Sequence, residues 1–171
     1  PITEVYALIV DDAEPYNIYI GTQDNAALIG PATGSVDPGA PETWRYVYLD
    51  QWGGGDSYFT YPDPTDAGTI YYEHQFGELR RKDMRADKAA RIGPKAAQGE
   101  PVLRRNWMTP YLVSQHDGHV LLYGAQRLYR SPDRGDTWSP ISPDLTTDPG
   151  PDRRGNVPYG TLTTISESTF D

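Results

Sequence analysis

Two carboxylates, Asp24 and Asp56, lie in loops rich in polar residues and glycine, Thr22-Gln23-Asp24-Asn25 and Gly53-Gly54-Gly55-Asp56. Paired acids can hydrolyse a glycosidic bond, with the two groups about 5 Å apart when one is the nucleophile and about 6.5–9.5 Å apart when it activates water. The same oxygen-rich loops could instead cap their own turns or ligate calcium. Nearby in the sequence pattern stand side chains suited to a polar ligand: Gln23, Asn25, His74, Gln75, Arg105, Asn106, Trp107, Gln126 and Arg127. Gln23, Gln75 and Gln126 recur at steps of 52 and 51 residues. They form either a ring of amides facing a ligand or hydrogen bonds to orphan backbone groups. Trp107 could stack on a sugar ring or fill a core under its loop. His116-Asp117-Gly118-His119 has metal-ligand residue types, but Asp-Gly between two apolar runs is a hairpin turn, and no metal centre is assigned to it. A Ser-His-Asp triad would have to draw on three histidines and lacks a nucleophile-elbow motif.

The elements that must position these residues repeat. Ile18-Tyr19-Ile20-Gly21, Ile70-Tyr71-Tyr72-Glu73 and Leu121-Leu122-Tyr123-Gly124 start 52 and 51 residues apart. Each follows an apolar run and a turn rich in Asp, Pro or Gly. A period of this length holding several short strands predicts β-propeller blades. The first repeat predicts strands over 5–10, 17–22, 26–30 and 44–49, with an insertion from Pro31 to Pro41. The second predicts 57–61, 69–75, 78–82 and a weak strand near 89–92. The third predicts 110–115, 119–125, 127–131 and 137–141. The expected fold is all-β: a propeller fragment of about three four-stranded blades (1–52, 53–105, 106–158) and the first strand of a fourth, at 161–165 in 159–171. In such blades the second-to-third loops and the interblade connections share one face, where the ligand residues are expected. The third-to-fourth turns lie on the other.

Ser131-Pro132-Asp133-Arg134-Gly135-Asp136-Thr137-Trp138 has the form S-x-D-x-G-x-T-W at one such turn. Asp133 can accept turn N–H bonds and Gly135 can supply a positive φ. The Ser131 and Thr137 hydroxyls can satisfy further backbone groups, and Trp138 can bury its ring between layers. This motif is read as a structural staple. Degraded copies occur at Gly34 with Thr43-Trp44 and at Lys82-Asp83. With this motif, Arg105-Asn106-Trp107-Met108-Thr109-Pro110, Asp63-Pro64-Thr65-Asp66, Leu128-Tyr129-Arg130-Ser131 and Tyr159-Gly160-Thr161, the chain resembles the Asp-box (BNR-repeat) propeller superfamily. It is most similar to the large bacterial members called sortilin-like or glycosyl-hydrolase-like. That resemblance implies an extracytoplasmic protein, secreted or periplasmic, and a piece of a longer propeller. In the xyloglucan hydrolases of the group an early-loop Asp is catalytic, which makes Asp24 its analogue, although Asn25-Ala26-Ala27 stands where that family has a glycine pair. The arginine motif of sialidases is missing.

The 171 residues carry a formal charge of −9, which argues against a nucleic-acid partner. No apolar run approaches the ~18 residues of a membrane span. The chain opens at Pro1 without a basic-then-apolar leader, so any export signal is expected to be already absent. Zero Cys excludes disulfides and thiolate metal sites. Nine of the 15 basic residues fall between Arg80 and Arg105, either as a solvated edge or as an anion-binding patch. Two functional readings stand. One is an exported propeller that binds or hydrolyses carbohydrate, glycoside-hydrolase-like if it is an enzyme. The other is a sortilin-like scaffold for a protein or peptide, without catalysis. No cofactor is required by either, calcium aside. Three blades and a stub cannot close a ring, so self-association or further blades of the same protein are expected.

Overall fold

Short runs of tyrosine, isoleucine and valine, broken at close intervals by Asp, Pro and Gly, favour strands joined by tight turns. The computed structural model describes residues 3–35, 37, 39–48, 54–153 and 159–170 and is all-β. Leu49 at the end of an expected strand, Gly53 of the glycine loop, and residues 36 and 38 of the insertion lie outside the described residues.

Three four-stranded antiparallel sheets follow one another along the chain with no closed barrel, consistent with a propeller fragment. The first contains β1 (Val5–Val10), β2 (Asn17–Thr22), β3 (Ala27–Pro31) and β4 (Arg45–Val47). The second contains β5 (Ser57–Pro62), β6 (Thr69–His74), β7 (Glu78–Asp83) and β8 (Lys88–Arg91). The third contains β9 (Tyr111–Val113), β10 (Leu121–Gly124), β11 (Leu128–Ser131) and β12 (Ser139–Pro140). Every sheet is a simple meander in chain order.

Several expected strands shrink, among them 110–115 to Tyr111–Val113 and 119–125 to Leu121–Gly124. The strand expected over 137–141 is reduced to Ser139–Pro140, where Pro140 has no N–H to donate and so suits only an edge. The segment 161–165 carries no strand assignment. It nevertheless lies along the third sheet: Leu162 N donates to Ala125 O (2.8 Å), and Ser114 Oγ and Gln115 N donate to the Glu167 carboxylate (2.9 and 2.8 Å).

Packing divides the chain into two compact units, Pro1–His74 with Lys82–Lys88, and Gln75–Arg81 with Ala89–Asp171. In the first unit, Tyr19 lies opposite both Ile9 and Ile29, and Ala27 lies opposite Gly21 and Val47. This face of the first sheet is buried with Ile70 and Tyr72 of β6, and Ile9 and Met84 pack against it. The opposite face carries Leu8 paired with Ile20, Val10 paired with Ile18, and Leu28 paired with Ile20 and Tyr46. Leu8, Val10 and Tyr46 are exposed, and Tyr46 stacks on the equally exposed Tyr48. In the second unit, Tyr123 stands between Tyr111 and Tyr129 across β9, β10 and β11, and all three are buried.

Buried phenols need acceptors, and the repeat supplies them. Tyr19 donates to Asp11 (3.0 Å), and 52 residues later Tyr71 donates to Asp63 (2.6 Å). Asp11 also accepts from Asn17 N (2.7 Å) and Asp63 from Thr65 N (2.8 Å), so each carboxylate ties its turn to a core strand. In the third repeat Ser114 stands at the Asp position, accepting from His116 N and Asp117 N, while Tyr123 donates to Gly77 O (2.8 Å). The far turns of the first unit are pinned separately. Arg85 reaches Asp66 with both guanidinium nitrogens (3.0 and 2.8 Å), and with Thr69 and Gly68 N it brings the Asp66 carboxyl down to about 2.

Close approach between strands of the first unit depends on one missing side chain. A Cβ on Gly21 would lie 1.8 Å from Tyr58 O, and backbone cannot yield as a flexible side chain can. Gly21→Ala is therefore expected to lower unfolding free energy by about 3 kcal/mol, at the upper end of overpacking effects, as read by urea denaturation. A loss under about 0.5 kcal/mol, the ordinary surface value, would show that the two strands separate freely.

Candidate functional site

The residues with chemical potential divide between the two units. Gln23, Asp24, Asn25, Asp56 and His74 belong to the first; Gln75, Arg105, Asn106, Trp107, Gln126, Arg127 and the Ser131–Trp138 turn belong to the second.

In the first unit, Asp56 is 5% exposed and fully engaged. Its Oδ1 accepts from Asp24 N (3.0 Å), and its Oδ2 accepts from Tyr58 OH (3.2 Å) and, weakly, Tyr6 OH (3.4 Å). Burial first, and then the Asp56 charge, raise the Tyr58 phenol well above its ordinary value, so it stays a donor. A parallel bridge joins Ala26 to Asp56, and Ala26 N donates to Gly55 O (3.2 Å). Asp24 adopts φ 56 and Ala26 φ 62, so two non-glycine residues hold left-handed backbone in one tight loop. Asp56 thus meets Asp24 through the backbone N–H, and the Asp24 side chain is exposed to solvent. Glu4, Gln23, Asp24 and Asn25 line a shallow acidic hollow of about 320 Å³. Gln23 N is held by Glu4 O (2.9 Å), and Asn25 Nδ2 donates back to Gln23 O (2.9 Å). His74 pairs with Ser57 across β5 and β6 and is half-buried. Among the described residues no three His, Asp or Glu side chains converge as metal ligands, so calcium finds no such cluster there.

In the second unit the Ser131–Trp138 turn uses each specified residue. Ser131 Oγ donates to Asp133 Oδ1 (2.8 Å) and accepts from Gly135 N (2.8 Å). Asp133 accepts from Thr137 Oγ1 (2.6 Å) and Thr137 N (2.8 Å), which together hold its carboxyl below the ordinary range. Gly135 has φ 94, and a Cβ there would meet Ile92 at 2.6 Å. Trp138 donates to Ile92 O (2.5 Å) and meets Tyr123 edge-on at 5.8 Å. The Ser131, Asp133, Thr137 and Trp138 side chains are all engaged within the unit. In the first unit Asp83 makes the same kind of cap, accepting from Arg85 N (2.8 Å) and Ala86 N (3.2 Å).

The turn Gln126-Arg127 lies at the other end of β11 from this staple. Gln126 Oε1 accepts from Arg104 N (3.0 Å), which is the structural reading of the recurring glutamine. Arg104 is consumed by the loops around it, donating to Gly160 O (2.9 Å), Asp144 (2.5 Å) and Thr146 (2.8 Å) and pairing with Asp148 (2.9 Å). Asn106 donates to Thr161 Oγ1 (3.0 Å). Arg127 is half-buried with no partner for its Nε.

A cleft of about 400 Å³ in this unit is lined by the Gln75-Phe76-Gly77-Glu78-Leu79 run, Arg91, Gly93, Lys95 and Arg105. Its size falls in the range of small-ligand sites, about 300–1,000 Å³. Phe76 forms one wall with φ 60, unusual for a bulky residue, and Gly77 follows with φ 66. A Cβ on Gly77 would lie 2.1 Å from the Tyr123 hydroxyl, so glycine is needed for both reasons. Phe76 N donates to Trp107 O (2.9 Å), and the two rings meet edge-to-face at 5.0 Å while remaining 41% and 38% exposed. Gln75 Oε1 and Arg105 Nε have no hydrogen-bond partner.

Gln75, Arg105 and Trp107 were thus visible as candidates, whereas Phe76, Arg91 and Lys95 were not singled out. The positive φ of Phe76 has no sequence signature, and Arg91 and Lys95 were hidden inside a long basic run. No protein-family model matches this chain, and no curated protein matches it.

The Asp56 geometry makes a sharp contrast with its neighbour. Asp56→Asn, which exchanges one acceptor oxygen for a donor facing other donors, is expected to lower stability by about 1–3 kcal/mol. Asp24→Asn should stay within about 0.5 kcal/mol. Thermal melts of both variants check this, and equal losses would show that Asp56 is not the clamp described.

Proposed function

We propose that the protein is a carbohydrate-binding Asp-box propeller piece whose ligand contacts the Phe76–Trp107 pair. The observation carrying this reading is the exposure of two large aromatic rings, one of them held out by a strained left-handed backbone, beside a polar cleft. Sugar rings present flat C–H faces to aromatics and hydroxyls to amides and guanidiniums, and the cleft offers both through Phe76, Gln75 and Arg105. The Ser131–Trp138 turn and the 52-residue period support the superfamily, and with it an extracytoplasmic location. Hydrolysis by Asp24 and Asp56 is not part of the reading, because Asp56 holds two tyrosines and the Asp24 N–H. Trp107→Ala should weaken binding to whichever members of a panel of neutral and acidic oligosaccharides the chain retains by about tenfold, near the 1.4 kcal/mol scale of one aromatic contact. Near-UV circular dichroism would confirm folding. Unchanged affinity with an intact spectrum would defeat the proposal.

A second reading concerns protein partners, favoured by the apolar outer face of the first sheet. Leu8, Val10, Tyr46 and Tyr48 are about half exposed there, whereas Tyr19, Ile29 and Val47 on the opposite side are buried. A second copy of the chain could cover it with a sheet of the same repeat. Light scattering is then expected to show association at micromolar concentration, reduced by Leu8→Lys, and a folded monomer would overturn it. No helix of the described residues is long and apolar enough to cross a membrane.

A further inference from the structure

We infer that the cleft beside Gln75–Leu79 selects saccharides bearing an oxyanion, a sugar carboxylate above all, through Lys95, Arg91 and Arg105; this rests on the carbohydrate reading and names its ligand class. Three cations and one anion line the cleft in a chain whose formal charge is −9. The anion, Glu78, is already neutralised, pairing with Arg80 and with Arg91 Nε (3.2 Å). Lys95 is exposed and has no ion-pair partner among the described residues. Arg105 donates one guanidinium nitrogen to Pro94 O, which fixes the plane of the group, and its Nε is left without an acceptor. A buried donor and a buried acceptor that the protein does not satisfy are each unfavourable until something meets them. Here they are a guanidinium N–H and an amide oxygen, at Arg105 and Gln75.

The exposed Lys95 ammonium suits a carboxylate, with the positive charge of Arg105 on the same lining, and charge-assisted bonds of this kind are about twice as strong as neutral ones. Gln75 lines the same cleft, and its amide is of a kind that can donate to and accept from ring hydroxyls. Phe76 lines the same cleft and offers a ring face to the sugar's C–H edge. A neutral sugar would use Phe76 and Gln75 and leave the cations solvated, so the charge discriminates between ligands.

The test compares a galacturonate hexasaccharide with the neutral galactose hexasaccharide of the same linkage by isothermal titration on the whole chain. The acidic oligomer should bind at least about tenfold more tightly, the scale of one charge-assisted hydrogen bond. Lys95→Glu should remove that advantage, and Arg91→Gln, at a residue 72% exposed in its side chain, should reduce it without risk to the fold. Equal binding of the two oligomers, indifferent to Lys95→Glu, would overturn this inference and leave the carbohydrate reading standing. Binding of neither would overturn both.

Discussion

A tyrosine-rich interior has a requirement that a leucine core lacks: each buried hydroxyl must find an acceptor or lose the free energy of an unmade hydrogen bond. In this protein the acceptors stand in turns and loops. Tyr19 finds Asp11, Tyr71 finds Asp63, Tyr58 finds Asp56 and Tyr123 finds the Gly77 carbonyl. Because the donor belongs to a core strand and the acceptor to a connection, satisfying the phenol also fixes the connection. Burial by itself would leave these loops free, whereas a hydrogen bond about 3 Å long does not. The Gln75–Gly77 turn shows the consequence most directly. The Tyr123 hydroxyl sits where a Gly77 side chain would be, and the carbonyl it binds locks the turn that places Phe76 outward.

This use of carboxylates narrows the chemistry that is left. Asp11, Asp63, Asp66, Asp83 and Asp133 each accept backbone or hydroxyl hydrogen bonds within their own loops, and Asp56 accepts them from another loop. A carboxylate with its lone pairs taken up by fixed donors is a poor proton acceptor for a substrate and a good cap. The groups not taken up in this way are of another kind: exposed aromatic edges, an exposed ammonium, and a buried amide oxygen and guanidinium N–H that lack partners. They suit recognition of a polar ligand better than bond cleavage.

The strand pattern was legible because the 52-residue period places apolar runs and turn residues at fixed offsets, and the Ser131–Trp138 staple was legible because each of its residue types has one local task. Strand ends were less so: Pro140 suits only an edge and β12 is two residues long, and 161–165 lies along the third sheet without a strand assignment. The Asp11–Tyr19 and Asp63–Tyr71 bonds repeat at the same offset as the strands and could have been found by aligning the repeats residue by residue. Asp56 was not legible as a clamp. Its partners Tyr6 and Asp24 are 50 and 32 residues away, and no local spacing announces them. The recurring glutamine diverged for a similar reason. Gln126 met the Arg104 N–H, while Gln75 precedes the left-handed Phe76, just as Gln23 precedes the left-handed Asp24.

Net charge is a weak guide to what such a surface can hold. At physiological salt the Debye length is about 8 Å, so most of the nine excess negative charges are screened from any one site unless they line it. In the second unit the acidic neighbours of the cleft are already paired: Glu78 with Arg80 and Arg91, and Asp136 of the adjoining hollow with Arg81 (3.0 Å). Lys95 and Arg105 therefore set the local potential, and an anion approaching the cleft meets positive charge at contact range. The overall negative charge acts at longer distance, where it slows encounter with anionic polymers in general and adds to their discrimination by requiring close fit before attraction takes hold. Specificity for an oxyanion on an acidic protein is thus a matter of which carboxylates have already found their partners.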